Sequence, residues 1–194
     1  DNIFHVIFLR IAKTRTSIVS KLISLIEALW VKQFERKSLS NMDYAVVLSP
    51  IEKKRFAKLS PHTPTFEIPL DIDPKQIDRR ECGEEEPAIL FLGTMSYTPN
   101  EQGALYFINE VLPLILVQDR FLKLYIVGKN PSRLLQSRSS EHIIVTGAVD
   151  DATIYLKKSR VFVVPLAIGG GMRYKILEAF AYGKAVVSTT VGAE

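Results

Sequence analysis

Between Val161 and Glu178 the chain reads VFVVPLAIGGGMRYKILE, an apolar run, three consecutive glycines, two cations and the start of a helical pattern. Few folds accommodate that succession. An apolar strand that stops at a glycine loop and resumes as a helix is the device by which α/β proteins build anion sites. The glycines let backbone N–H groups approach the ligand, and the helix N-terminus adds partial positive charge. Gly169, Gly170 and Gly171 are therefore candidate ligand-binding positions, and Arg173 and Lys175 the strongest candidates for an active role. Cations at a helix start oppose its dipole by ~0.3–1 kcal/mol each, a penalty that a bound anion reverses. The plainer reading makes both solvated helix-start residues. Glu178, one turn into the helix, can accept two hydroxyl hydrogen bonds of the kind a ribose offers. An i,i+3 ion pair with Lys175, worth ~0.2–0.5 kcal/mol, is compatible with that role.

The chain before this stretch falls into two parts. Phe4–Leu9 reads as a short strand. From Ser17 a long amphipathic helix is expected, with Ile18, Leu22, Ile26 and Leu29 on its apolar side, Val19, Ile23 and Trp30 beside them, and Ser17, Lys21, Ser24 and Glu27 opposite. Such a helix, flanked by bases, packs on its own domain or lies on a membrane surface. A strand over Asp43–Ser49, a helix from Pro50 over Ile51–Leu59 and a strand at Phe66–Ile68 follow. Residues 76–87 are acidic and poor in apolar side chains, so they read as a linker between a first domain, 1–75, and a second, 88–194.

In the second part strands and helices alternate regularly. Strands are expected at Ala88–Leu92, Leu122–Val127, Ile143–Val145, Val161–Val164 and Ala185–Ser188. The helices between them are Asn100–Val117, with Leu105, Ile108, Leu112 and Ile115 inward, Ser132–Gln136, Asp150–Lys157 capped by Asp150, and one running to Tyr182. This pattern specifies an α/β fold with a doubly wound parallel sheet, whose ligands bind outside the carboxyl ends of the strands. The loops starting at Gly93, Gly128, Gly147 and Ala167 are therefore the ones to watch.

Several function classes are disfavoured. The first strand of this half ends in GTMSYTPN, not a dinucleotide fingerprint, and Gly183-Lys184 is followed by Ala185, so no P-loop is present. The three histidines are scattered with no second ligand at metal spacing, and no serine sits in a nucleophile elbow. A net charge of +4, spread over several segments, does not point to nucleic acid. The single cysteine, Cys82, allows no internal disulfide, and no apolar run approaches the ~20 residues of a membrane span, which suits a cytoplasmic protein. Both ends read as cut.

The run IVGKNPSRLL…IIVTGAVDDATIYLKKSRVFVVPLAIGGGMRYKILEAFAYGKAVVSTTVGAE resembles the donor-binding domain of glycosyltransferases of the family 4 (group 1) type, enzymes of the GT-B architecture. The resemblance is dense over 88–194 and weaker over 1–75, which looks like the end of the acceptor-side domain. It implies transfer of a sugar, with retention, from a UDP- or GDP-type nucleotide-sugar to a glycan or lipid-linked acceptor, with no cofactor and no metal. It implies donor contacts at Gly93, Gly128, Val149 and the glycine run, with the nucleobase near Val149. Glu178 matches the second glutamate of the E-x7-E motif. The first would fall at position 170, which is Gly170 here, and Thr94–Asn100 lacks the Arg and Lys that many members carry. Arg173 and Lys175 would then bear the charge of the leaving diphosphate. A non-catalytic nucleotide-sugar-binding module and a GT-B sugar-nucleotide epimerase are the alternatives, and the chain alone is expected to bind donor weakly without turnover.

Overall fold

The computed structural model describes residues 3–73 and 85–194. Cys82 and most of the expected linker lie outside the described residues. Contacts divide the chain into two units, one of residues 1–71 with 168–173 and Glu194, the other of 72–167 with 174–193.

The first unit begins with a helical hairpin, α1 (Phe4–Thr14) and α2 (Ile18–Ser40). The expected strand at Phe4–Leu9 is thus helix. Phe4, Ile7, Phe8 and Ile11 recur at i, i+3, i+4 and i+7, a helical period that a short apolar window conceals. Phe4 N and His5 Nδ1 both reach the Glu35 carboxylate at 2.6 Å, tying the start of α1 to α2. The hairpin closes on small side chains, with Ala12 at 1%, Ala28 at 2% and Ser24 at 4% exposure. Large apolar groups of α2 point elsewhere: Ile18, Leu22, Leu29 and Trp30 are 76, 54, 61 and 71% exposed. Ser24, expected on the outward stripe, is buried.

Next come β1 (Ala45–Val47), α3 (Pro50–Leu59) and β2 (Thr65–Glu67), with β1 and β2 parallel. Ser49 caps α3: its hydroxyl accepts from Glu52 N at 3.2 Å, while Glu52 Oε2 accepts from Leu48 N at 3.1 Å. Pro50 occupies the first turn, where no amide is needed. A small core of Ile3, Leu39, Ala45 and Leu59 holds these elements together.

The second unit is the doubly wound α/β domain that the alternation predicts. β3 (Glu86–Leu92), β4 (Lys123–Val127), β5 (Ile143–Gly147), β6 (Ser159–Val164) and β7 (Ala185–Ser188) form one sheet in the order β5-β4-β3-β6-β7, parallel throughout. The chain order reverses at β3, between β4 and β6. The helix expected over Asn100–Val117 is α4 (Thr98–Tyr106), a π turn at Phe107–Val111 and α5 (Leu112–Leu116). Phe107, Ile108 and Leu112 face the core as buried residues. α6 (Arg133–Gln136), α7 (Thr153–Lys158) and α8 (Tyr174–Ala181) complete the unit. The cap before α7 is not Asp150: Asp151 Oδ1 accepts from Thr153 N at 2.8 Å.

At the amino ends of the strands, polar pairs close the sheet. Lys184 Nζ, on a residue 5% exposed, meets Glu85 at 2.6 Å and the Lys157 carbonyl at 3.0 Å. Tyr125 Oη donates to Glu86 at 2.8 Å, and burial together with that carboxylate pushes the phenol up to about 12. Between its ordinary value of 10.0 and about 12 the folded chain holds this proton while the unfolded chain releases it. Stability therefore falls as pH rises through that window. Denaturant titrations across it are expected to show a shallower alkaline decline for Tyr125→Phe, at a cost near neutrality of about 1 kcal/mol for the lost hydrogen bond.

Candidate functional site

At the carboxyl ends of the central strands the loops are knitted to one another. Gly93 N donates to Val127 O at 3.0 Å, Gly128 N to Gly147 O at 3.1 Å, and Met95 N to Lys129 O at 2.8 Å. The parallel ladder thus runs past β3, β4 and β5 into three adjacent loops. Such close approach leaves no space for side chains. A Cβ on Gly128, whose φ is +149°, would lie 1.8 Å from the Gly93 carbonyl oxygen. A Cβ on Gly93 would meet Asn100 Nδ2 at 2.7 Å, and that amide donates to Thr94 O at 2.9 Å.

The result is a cleft of ≈ 300 Å³ lined by the β3 end (Leu92, Gly93, Thr94), the β4 end (Val127, Gly128, Lys129) and Val149 with Ala152 before α7. It lies beside the reversal of strand order, where open α/β sheets take their ligands. Three expected positions, Gly93, Gly128 and Val149, come together here. Lys175 on α8 adjoins it: its ammonium donates to the Leu92 carbonyl at 2.8 Å and sits 5.2 Å from the Phe91 ring centroid. Lys129 is a cation that sequence reasoning passed over. Its signal was present, a Lys immediately after the glycine that ends a strand.

Glu178, one turn after Lys175, is half-buried, and that burial raises its carboxyl above the ordinary carboxylate range. The folded chain then holds the proton over a pH range in which the unfolded chain has lost it. Stability is lost as pH rises from the ordinary value through the raised one, and the buried charge is a net cost at neutral pH. Glu178→Gln is therefore expected to unfold at higher denaturant than the native chain at pH 7, with the difference closing in acid.

Gly169, Gly170, Gly171 and Arg173 belong to the first unit and not to this cleft. All three glycines are buried, and Gly169 and Gly171 have φ of +156° and +77°. The Arg173 guanidinium covers Gly169, so that an added Cβ there would lie 2.0 Å from Nη2. The Gly169 carbonyl accepts from Arg10 Nη1, and Arg10 Nη2 meets Glu194 Oε1 at 2.5 Å, where Arg55 also converges at 3.3 Å. Burial would raise the Glu194 carboxyl, but the two guanidiniums hold it below the ordinary range. Among the described residues no group of three or more His, Cys, Asp or Glu side chains could hold a metal ion, and no helix is long and apolar enough to cross a membrane.

A family model described as "Glycosyl transferases group 1" matches residues 86–194. An uncharacterized 44.6 kDa protein in the cps region of Klebsiella pneumoniae is 24% identical over 190 residues, covering 92% of this chain and 47% of that protein. The chain therefore spans about half the length of this curated relative. Sucrose-phosphate synthase from Thermosynechococcus elongatus superposes with a TM-score of 0.66 at 22% identity, over 95% of this chain and 49% of the synthase. A mutant of S. aureus TarM, solved with Fondaparinux, alpha-GlcNAc-glycerol and UDP, has a TM-score of 0.65 at 13% identity, over 84% of this chain and 33% of TarM. The pneumococcal O-GlcNAc transferase GtfA, solved with UDP and GlcNAc, has a TM-score of 0.59 at 16% identity, over 83% and 33%. At such identities the likeness is one of fold.

Proposed function

The chain belongs to the group 1 glycosyl transferases, and from that premise we propose that it binds the donor of a transferase that moves a sugar from a UDP- or GDP-type nucleotide-sugar, with retention, to a glycan or lipid-linked acceptor. The observation that carries the reading is the glycine-walled cleft at the carboxyl ends of β3 and β4, with Lys129 in its lining and the Lys175 ammonium at its edge. Its backbone walls and cations suit an anionic, planar-headed ligand. UDP is what the TarM and GtfA structures hold.

On this reading the nucleobase lies near Val149 and Glu178 accepts from the ribose hydroxyls. Lys175 and Lys129 take the diphosphate at the mouth of the cleft. As the anomeric bond breaks, negative charge grows on the departing phosphate oxygen, and preorganised cations stabilise that charge more than the ground state. No residue of the chain needs to form a covalent bond, and no metal is invoked. The placing of the Klebsiella relative in a cps region is compatible with a cytoplasmic enzyme of glycan assembly, at or near the membrane.

Calorimetric titration with UDP, GDP and ADP tests the site. The native chain is expected to prefer one of them. Lys175→Ala and Glu178→Ala should each weaken it by about tenfold to a hundredfold, the loss of one charge-assisted interaction of ~1.5–3 kcal/mol. Unchanged affinity in both variants would reject the assignment. If the full-length protein binds a nucleotide yet neither transfers nor hydrolyses any donor in a panel, the chain is a binding module and not an enzyme.

A further inference from the structure

The turn that leaves β3 is pinned peptide by peptide. The Leu92–Gly93 peptide is held at both ends: Gly93 N donates to Val127 O at 3.0 Å, and the Leu92 carbonyl accepts from Lys175 Nζ at 2.8 Å. The Thr94–Met95 peptide is held as well. Met95 N donates to Lys129 O at 2.8 Å, while the Thr94 carbonyl accepts from Tyr97 N at 3.2 Å and from Asn100 Nδ2 at 2.9 Å. Asn100 stands in the first turn of α4, is 8% exposed, and lays its amide against Gly93.

Between these two lies the Gly93–Thr94 peptide, and only its carbonyl is packed, against Gly128. In this trans peptide the N–H points opposite the carbonyl. The Thr94 N–H therefore turns away from β4, to the side on which the Lys175 ammonium meets Leu92. Among the described residues nothing accepts from it, although Thr94 lines the cleft. A main-chain donor without a protein partner, beside an ammonium in a cleft, is suited to an anion.

We propose that Asn100 is a positioning residue for nucleotide binding: by holding the Thr94 carbonyl inside the turn, it sets the Thr94 N–H in the cleft as a donor to a phosphate oxygen. The proposal rests on the nucleotide reading of the cleft given above and adds to it a contact made by no side chain. Thr94–Asn100 carries no Arg or Lys, and a fixed amide next to Lys175 supplies a donor in their place. Asn100 itself touches no ligand; it acts through Thr94. If it served packing alone, its loss would loosen the whole cleft and weaken nucleoside and nucleotide alike.

The test titrates UDP, GDP and ADP calorimetrically, each beside its own nucleoside, into the native chain, Asn100→Ala and Asn100→Leu. Leucine keeps the branched shape against Gly93 but has no donor for Thr94 O. Each variant is expected to weaken the bound nucleoside diphosphate about tenfold, through one misplaced charge-assisted hydrogen bond, and to leave its nucleoside within about twofold. A second measurement needs no variant. In amide NMR spectra of the native chain, the Thr94 proton should move downfield with the diphosphate and stay in place with the nucleoside. Three results overturn the proposal while leaving the nucleotide site standing: equal weakening of nucleoside and diphosphate, diphosphate binding unchanged in both variants, or a Thr94 amide proton unmoved at saturation. A native chain that binds none of UDP, GDP and ADP overturns the nucleotide reading and this proposal together.

Discussion

Gly128→Ala is expected to destabilise the second unit by roughly 2–6 kcal/mol, combining an overpacking cost of about 1–3 kcal/mol with a backbone strain of about 1–3 kcal/mol. The methyl group would stand 1.8 Å from the Gly93 carbonyl oxygen, and the residue's φ of +149° is one that alanine rarely adopts. Neither partner can give way cheaply. Gly93 N is bonded to Val127 O, and Gly128 N to Gly147 O, so moving one loop pulls on two strands. Against a total stability of ~5–15 kcal/mol for a domain, such a loss leaves little folded protein. Chemical denaturation measures it directly. Gly147→Ala is the control: its φ of +73° carries strain, but nothing lies within 4 Å of an added Cβ, so its cost should be smaller.

The second large effect concerns turnover. On the proposed transferase reading, Lys175→Ala should reduce transfer by about a hundredfold to a thousandfold, the usual consequence of removing one donor to a charge that develops in the transition state. In the structure Lys175 donates to the Leu92 carbonyl and rests against Phe91, so its removal also loosens α8. Ligand binding separates the two roles. A packing defect would weaken uridine and UDP alike, whereas loss of a phosphate contact would weaken UDP and leave uridine unchanged. Equal loss for both would make Lys175 a structural lysine.

Much of the second unit was readable because two periods reinforced each other there. Short apolar runs such as Leu122–Val127 end at glycine, helical patterns separate them, and a parallel sheet follows with few alternatives. β7 lies at Ala185–Ser188, the span its run of Ala, Val and Val specifies. The first unit was harder for a physical reason. Amphipathicity shows that a helix has an apolar side but not which side meets its neighbour. In α2 the contact with α1 uses Ser24 and Ala28, whose small size permits close approach, while Ile18 and Trp30 stay in water. The same limitation applies at the site. Gly93 and Gly128 could be picked as strand-end residues and Val149 from the family resemblance alone, and the three share a cleft. Lys129 and Asn100 were passed over because their contribution depends on how three loops are bonded side by side, a relation that no spacing along the chain expresses.

Trp30 gives the hairpin a property of practical use. It is the chain's one tryptophan, it stands on α2, and 71% of it is exposed. Its indole therefore emits as a solvated fluorophore, and any molecule that covers this face of the helix will shift that emission to the blue. The protein thus carries its own optical probe on the exposed side of α2, and binding that covers the indole can be followed without a label.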